Sequence, residues 1–112
     1  MAKQPYELFW FENYKVLLGR NSKANQAVLE NAKSNDLWFR MKDRASAHVL
    51  IKSDKQKIPE HIIQLAAKLV VDFSVTATGR FSVDYTKRRE LQIQEGANLF
   101  YNKYDTIIIL KE

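Results

Sequence analysis

Asn35-Asp36-Leu37-Trp38-Phe39-Arg40-Met41-Lys42-Asp43-Arg44-Ala45-Ser46-Ala47-His48-Val49-Leu50-Ile51-Lys52 reads as two strands around a short basic turn. Side chains alternate across a strand, so Leu37, Phe39 and Met41 share one face and Trp38, Arg40 and Lys42 the other. The first face is apolar and demands a core. The second sets one large aromatic among cations, the make-up of a surface that stacks a base and holds a phosphate. The same pattern also fits a half-buried packing tryptophan beside a solvated edge arginine. The second strand, Ala47 to Lys52, leaves a choice of register. A five-residue loop pairs Lys42 with His48 and puts His48, Leu50 and Lys52 on the Trp38 face. A four-residue loop flips the parity and makes His48 a core histidine. With no Asn-Gly or Asp-Gly in the turn, its type is not specified.

Outward from this hairpin, the N-terminal side supplies another pair of strands. Tyr6 to Phe11 is aromatic-rich, Glu12-Asn13 suits a two-residue turn, and Tyr14 to Leu18 returns. Glutamate is a poor residue for a positive φ, so a longer loop also fits. Gly19 ends the strand. Asn21 or Ser22 is a suitable cap for a helix whose small face is Ala24, Val28 and Ala32, with Ala27 beside it. Arg20, just ahead of that helix, is placed either to hold a phosphate with the free backbone N–H groups or to serve as an ordinary loop arginine. Ser34-Asn35-Asp36 breaks the chain before the central hairpin.

On the C-terminal side, Ser53 to Lys57 is a charged loop and Pro59 suits a first helical turn. Ile62, Ala66, Leu69 and Phe73, broadened by Ile63 and Val70, form the buried face of the main core helix. Glu60, Gln64, Lys68 and Asp72 form its polar stripe, and His61 faces solvent. Gly79-Arg80 marks a turn. Phe81 to Thr86 alternates as a strand, with Lys87-Arg88-Arg89 at the tip of a hairpin and Leu91 and Ile93 on the return. Three adjacent cations repel one another and gain from an anion; the same cluster fits a solvated tip that blunts aggregation. Gln94 to Tyr104 reads as loop. Thr106 to Leu110 is continuously apolar, as for an interior strand covered on both faces. The implied fold is α+β, a single domain with a mixed, mostly antiparallel sheet of about six or seven strands and two main helices packed against it.

Composition narrows the chemistry. The chain has 112 residues, 46% of them hydrophobic, enough for one core. Eighteen Lys and Arg against thirteen Asp and Glu give a net charge of +5, which favours an acidic partner. The absence of cysteine excludes disulfides, thiolate metal sites and cysteine nucleophiles. His48 and His61 lie in different elements without metal-ligand spacing. No glycine-rich phosphate loop and no Gly-x-Ser-x-Gly elbow occurs, and Asp36, Asp43 and Asp84 form no recognisable cluster for a metal-dependent nuclease. Neither an enzyme nor a cofactor is expected. The first residues lack a basic-then-apolar signal design, and the longest apolar run, Ile107 to Leu110, is too short to span a membrane. The cytoplasm is the default location.

Several motifs stand in a particular order. Asp36-Leu37-Trp38-Phe39 followed by Ser46-Ala47-His48-Val49 resembles the central signature of the NFACT-R domain family. This is the C-terminal RNA-binding domain of the NFACT ribosome-quality-control proteins, which also occurs in standalone proteins. Trp10-Phe11 is similar to the family's aromatic start, and Gly19-Arg20-Asn21 with Asn25 to its Gly-Arg and following Asn. Ala66-Ala67-Lys68-Leu69, ending near Phe73-Ser74, resembles its alanine-rich helix, and Val83-Asp84-Tyr85-Thr86 its next strand. The resemblance covers roughly Phe9 to Leu110. Three departures stand out. Arg40 replaces the usual His after Trp-Phe, Ala45-Ser46-Ala47-His48 replaces Pro-Gly-Ser-His, and Ile93-Gln94 and Asn98-Leu99 stand where a Lys-Pro pair and a second glycine, around Gly96, belong.

The resemblance implies a non-catalytic RNA-binding module whose partner is tRNA or ribosomal RNA on the large ribosomal subunit. Phosphate contacts would come from Arg20, Arg40, Lys42, Arg44, Lys87, Arg88 and Arg89. Trp38 and His48 would stack on or read bases, and Asn25 belongs to the same motif set. The alternatives are a protein-interaction module, as in family members labelled fibronectin- or fibrinogen-binding adhesins, or a DNA binder. No membrane partner is expected, and the oligomeric state stays open.

Overall fold

Trp38 pairs with Leu50 and Phe39 with Val49. That register is shifted by two residues from the five-residue loop and so keeps its parity, with His48 and Leu50 on the Trp38 face. Side-chain hydroxyls set the shift, because they take over where ladder bonds would continue. Ser46 Oγ accepts from the Met41 N–H at 3.0 Å, and Ser74 Oγ accepts from the Ala47 N–H at 3.0 Å. The structure is a computed structural model and describes residues 5–42, 44–53, 57–94 and 99–112. Asp43 of the basic turn, most of the Ser53–Lys57 loop and the departures at Gly96 and Asn98 lie outside the described residues.

The elements run β1 (Glu7–Phe11), β2 (Tyr14–Gly19), α1 (Ser22–Glu30), β3 (Leu37–Met41), β4 (His48–Ile51), α2 (Glu60–Ser74), β5 (Gly79–Lys87), a 3-10 turn (Arg88–Glu90), β6 (Gln92–Ile93), β7 (Leu99–Phe100) and β8 (Asp105–Lys111). Six strands form one antiparallel sheet in the order β1-β2-β4-β3-β5-β8, and β6 pairs with β7 apart from it. The expected α+β architecture stands. Glu12-Asn13 is the two-residue turn between β1 and β2, and it holds Glu12 at φ 56°, with its carboxylate 2.5 Å from His61 Nε2.

The helices cover opposite faces of the sheet. Ile62, Ile63, Ala66, Ala67, Val70 and Val71 of α2 pack on Val16, Leu18, Phe39, Met41, Val49 and Ile51. Val28 and Leu29 of α1 pack on Leu17, Trp38 and Leu50, joined by Leu91 and flanked by Leu99 and Tyr101. Around Trp38 this face is therefore a second core, not an open surface.

Four expectations fail beyond the hairpin. Leu99–Phe100, inside the stretch that reads as loop, forms β7. Gly79-Arg80 is the start of β5 rather than a turn, with Gly79 at φ 139°. Lys87-Arg88-Arg89 is not a hairpin tip: it leads from β5 into the 3-10 turn, where the Arg88 and Arg89 N–H groups donate to the Asp36 and Ser34 carbonyls. The returning residues pair with β7 instead of β5. The apolar run Thr106 to Leu110 lies in β8, an edge strand, with Ile108 55% and Leu110 59% exposed. β-branched apolar composition marks both buried strands and the inner face of an edge strand, and the run alone does not separate them.

Candidate nucleic-acid interface

Gly19 and Asn25 build the site from below. A Cβ at position 19 would stand 2.4 Å from Asn25 Oδ1 and 2.8 Å from its backbone nitrogen, so only glycine lets α1 start this close to β2. Asn21 caps the helix through its Oδ1, which accepts from the Ala24 N–H at 2.8 Å. The N–H groups of Ser22 and Lys23 remain without intrahelical partners, an electropositive end suited to an anion. Asn25 is buried and bonded through both ends of its amide. Its Oδ1 accepts from the His48 N–H at 3.2 Å and its Nδ2 donates to the Ser46 carbonyl at 3.4 Å. It positions the β3–β4 loop, and the second N–H of its Nδ2, which has no partner among these bonds, lies at the groove wall.

A groove of about 570 Å³ opens above this junction. Its walls are Arg20 with the first residues of α1, the Ala45–His48 loop with Arg40, and Phe73-Ser74 at the end of α2. Arg40 is half-buried and held by two carbonyls: its Nε donates to Met41 O and its Nη2 to Arg44 O, both at 2.9 Å. An arginine fixed this way keeps its remaining N–H donors oriented. Arg20 is exposed and stacks over the Phe73 ring at 4.9 Å, with Glu7 3.7 Å from its guanidinium. Arg44 lies over Phe81 at 5.6 Å, next to Arg40.

His48 lines the groove but is only 7% exposed, and its ring meets Trp38 edge-to-face at 5.2 Å. Burial, aided by the Arg40 charge, lowers its pKa to about 4, so it is neutral at physiological pH. His48 Nδ1 and Trp38 Nε1 are both buried without a hydrogen-bond partner.

Thus the structure gathers Arg20, Arg40 and His48 on one groove, with Asn25 beneath and Arg44 adjacent. The other expected contacts lie elsewhere. Trp38 is fully buried and offers no face to a base. Lys42 is committed to Asp84 at 3.2 Å and to Tyr104, with its ring at 4.6 Å and its hydroxyl at 3.3 Å, and the hydrogen bonds to Asp84 and then to the Tyr104 hydroxyl raise its pKa. Lys87 stands opposite Leu37, about 10 Å along β3 from Arg40, and opens on a separate cavity with Asn35, Lys57 and Asp105. Arg88 is half-buried, donating to the Leu91 carbonyl at 3.4 Å, and Arg89 is exposed beside Glu90. Among the described residues no group of three His, Cys, Asp or Glu could hold a metal ion, and no helix is long and apolar enough to cross a membrane.

Sequence reading missed two aromatics. Phe73 continues the apolar stripe of α2 and so reads as core, yet it is 38% exposed on the groove. The exposed tryptophan is Trp10, at 61%, on the outer strand β1; its alternation with Phe9 and Phe11 was the available signal.

The family profile described as "NFACT protein RNA binding domain" matches residues 6–101. The chain belongs to the NFACT RNA-binding domain family. This NFACT-R domain is 31% identical, over 93 residues, to the Rqc2 homolog RqcH of Bacillus subtilis (strain 168). The match takes in 81% of this chain and 16% of that protein. Its fold is that of the C-terminal part of the fibronectin/fibrinogen-binding protein from Streptococcus suis, with a TM-score of 0.83 at 22% identity, over 100% of this chain and 48% of that one. The NFACT-R domain therefore spans a minor share of each of these relatives.

Proposed function

We propose that this NFACT-R domain binds RNA through the groove between the start of α1, the β3–β4 loop and the end of α2, without catalysing a reaction. The observation that carries the reading is the convergence of two guanidinium groups, Arg20 and the carbonyl-locked Arg40, with a helix N-terminus on one groove. A phosphate there meets three sources of positive potential. Phe73 and the neutral edge of His48 supply apolar and hydrogen-bonding surface for an adjoining nucleoside. Lys87 and Arg89 act as a second, separate phosphate contact on a longer RNA. The family match supports RNA as the partner; we extend this to tRNA or ribosomal RNA, in rescue of stalled large ribosomal subunits.

The test is a binding titration against tRNA and an unrelated structured RNA at several salt concentrations. Each lost phosphate contact flattens the log K against log salt slope by roughly 0.7 to 0.9. Arg20→Gln and Arg40→Gln are each expected to do so and to weaken binding. Absence of binding even at low salt would sink the reading for this domain. A second reading, docking of a protein partner, is favoured by Leu8 and Trp10, 49% and 61% exposed on β1. It predicts a shallow salt dependence and sensitivity to Trp10→Ala instead.

A further inference from the structure

The sheet has two open ends, and they differ. β1 is five residues long, and pairing it with itself around Phe9 would set Glu7 against Phe11. β8 is seven residues, Asp105-Thr106-Ile107-Ile108-Ile109-Leu110-Lys111, paired to β5 without interruption from Tyr85↔Asp105 to Gly79↔Lys111. Its outer edge has no strand partner among the described residues. Nothing within β8 blunts that edge: it has no proline, no bulge and no charge between its two ends. Ile108 and Leu110 project exposed from one face. On the other side the β8 edge and Leu65, 43% exposed on α2, line an open groove of about 570 Å³.

We infer that β8 is a self-pairing edge, and that its partner is β8 of a second copy of this chain in antiparallel register about Ile108. The strand is complementary to itself in that register. Asp105 and Lys111 stand three residues either side of Ile108, so each carboxylate meets the partner copy's ammonium. Thr106 then faces Leu110, Ile107 faces Ile109, and Ile108 faces its own symmetry mate. A two-fold axis through a residue pair is compatible with either hydrogen-bonding phase of an antiparallel ladder. The Lys111 Nζ already donates to the Val75 carbonyl at 2.6 Å, and an ammonium has two further donors for Asp105. The result is a closed C2 dimer with one continuous sheet, in which the two Ile108 side chains lie side by side and shield one another. The RNA groove and the groove beside β8 share no lining residue.

The experiment is sedimentation equilibrium on the RNA-free chain from about 1 to 500 μM, a range in which a micromolar dimer dissociates visibly. The expected result is a monomer–dimer equilibrium. Ile108→Lys sets two ammonium groups face to face across the axis and is expected to leave a monomer. The position is exposed, so the far-ultraviolet circular dichroism and the melting transition of that variant should match the parent. Asp105→Lys or Lys111→Asp alone turns both terminal pairs into like charges and should weaken the dimer roughly tenfold. Asp105→Lys combined with Lys111→Asp should restore it. A monomer at every concentration overturns the inference. So does a dimer that survives Ile108→Lys, or a double swap that fails to rescue. Assemblies that keep growing with concentration would place β8 against the β1 edge of the next copy and overturn the two-fold register.

Discussion

The Oδ1 of Asn25 occupies the space in which a side chain at Gly19 would begin, 2.4 Å from the ideal Cβ position. The neighbours of that Cβ include the Asn25 and Ala24 backbone, so a rotamer change cannot relieve the clash. Gly19→Ala is expected to push α1 off β2 and to destabilise the fold by about 1–3 kcal/mol, the usual range for overpacking. Asn25 also holds the His48 N–H and the Ser46 carbonyl, so the β3–β4 loop should move with it. Urea unfolding of Gly19→Ala beside an RNA titration checks this: stability and affinity are expected to fall together. Unchanged affinity at reduced stability would show that the groove tolerates the displacement.

Trp38 offers a direct contrast between core and surface. It is fully buried between β4, α1 and the rings of His48 and Tyr101, the latter edge-to-face at 5.4 Å. Trp38→Ala is expected to cost about 3–5 kcal/mol, as for other large-to-small core changes. Trp38→Phe keeps most of the volume and removes an indole N–H that has no partner, so it should fold and bind RNA as the parent does. Trp10 is then the remaining tryptophan, and its emission in the folded Trp38→Phe protein should be open to aqueous quenchers. Weak RNA binding by a well-folded Trp38→Phe would return the indole to the interface.

Asp84 organises a cluster that draws Lys42 away from the groove. Its Oδ1 accepts from Lys42 Nζ at 3.2 Å and Thr106 Oγ1 at 2.7 Å, and its Oδ2 accepts from the Tyr101 hydroxyl at 2.7 Å. Burial, and then donation to Asp84, push the Tyr101 hydroxyl pKa up, so it stays protonated and donating. Asp84→Ala strands three donors, and a loss of about 3 kcal/mol is expected in thermal or urea unfolding. Lys42→Gln should lose less, because two donors still satisfy the carboxylate. It should leave the salt slope of RNA binding unchanged, whereas Arg40→Gln flattens it. A slope that Lys42→Gln flattens would place Lys42 on RNA.

Much of this organisation is legible in local pattern. Alternation in Leu37 to Met41, the Asn21 cap and the α2 stripe depend on residues close in sequence, and they gave the strands and helices of the α+β fold. What is not legible depends on what covers each face. Alternation shows that Trp38 and Arg40 share a side, but not that α1 and Tyr101 roof that side at Trp38 and leave it open at Arg40. The same limit applies to β8, whose apolar run does not reveal that β5 is its only strand partner among the described residues. The Lys87 to Arg89 cluster reads as one patch in sequence. A 3-10 turn and two backbone bonds to Ser34 and Asp36 split it into exposed ends and a half-buried middle.

His48 makes stability depend on acid. Its folded pKa of about 4 lies below the ordinary 6.5, chiefly because burial disfavours the charged ring. Above the ordinary value both folded and unfolded chains hold the ring neutral, and it contributes no pH dependence. As pH falls from about 6.5 towards 4, the unfolded chain takes up the proton and the folded one does not, so stability declines. The decline attributable to this residue is about 3 kcal/mol at its limit. The measurement is unfolding free energy against pH for the parent and for His48→Gln. The parent should lose stability more steeply across that window, and the variant should lack that component. Because the ring is neutral through the physiological range, RNA affinity is expected to be flat between about pH 6.5 and 8. An affinity that rises steadily as pH drops from 8 would mean that the ring titrates there, and that His48 meets phosphate as a cation.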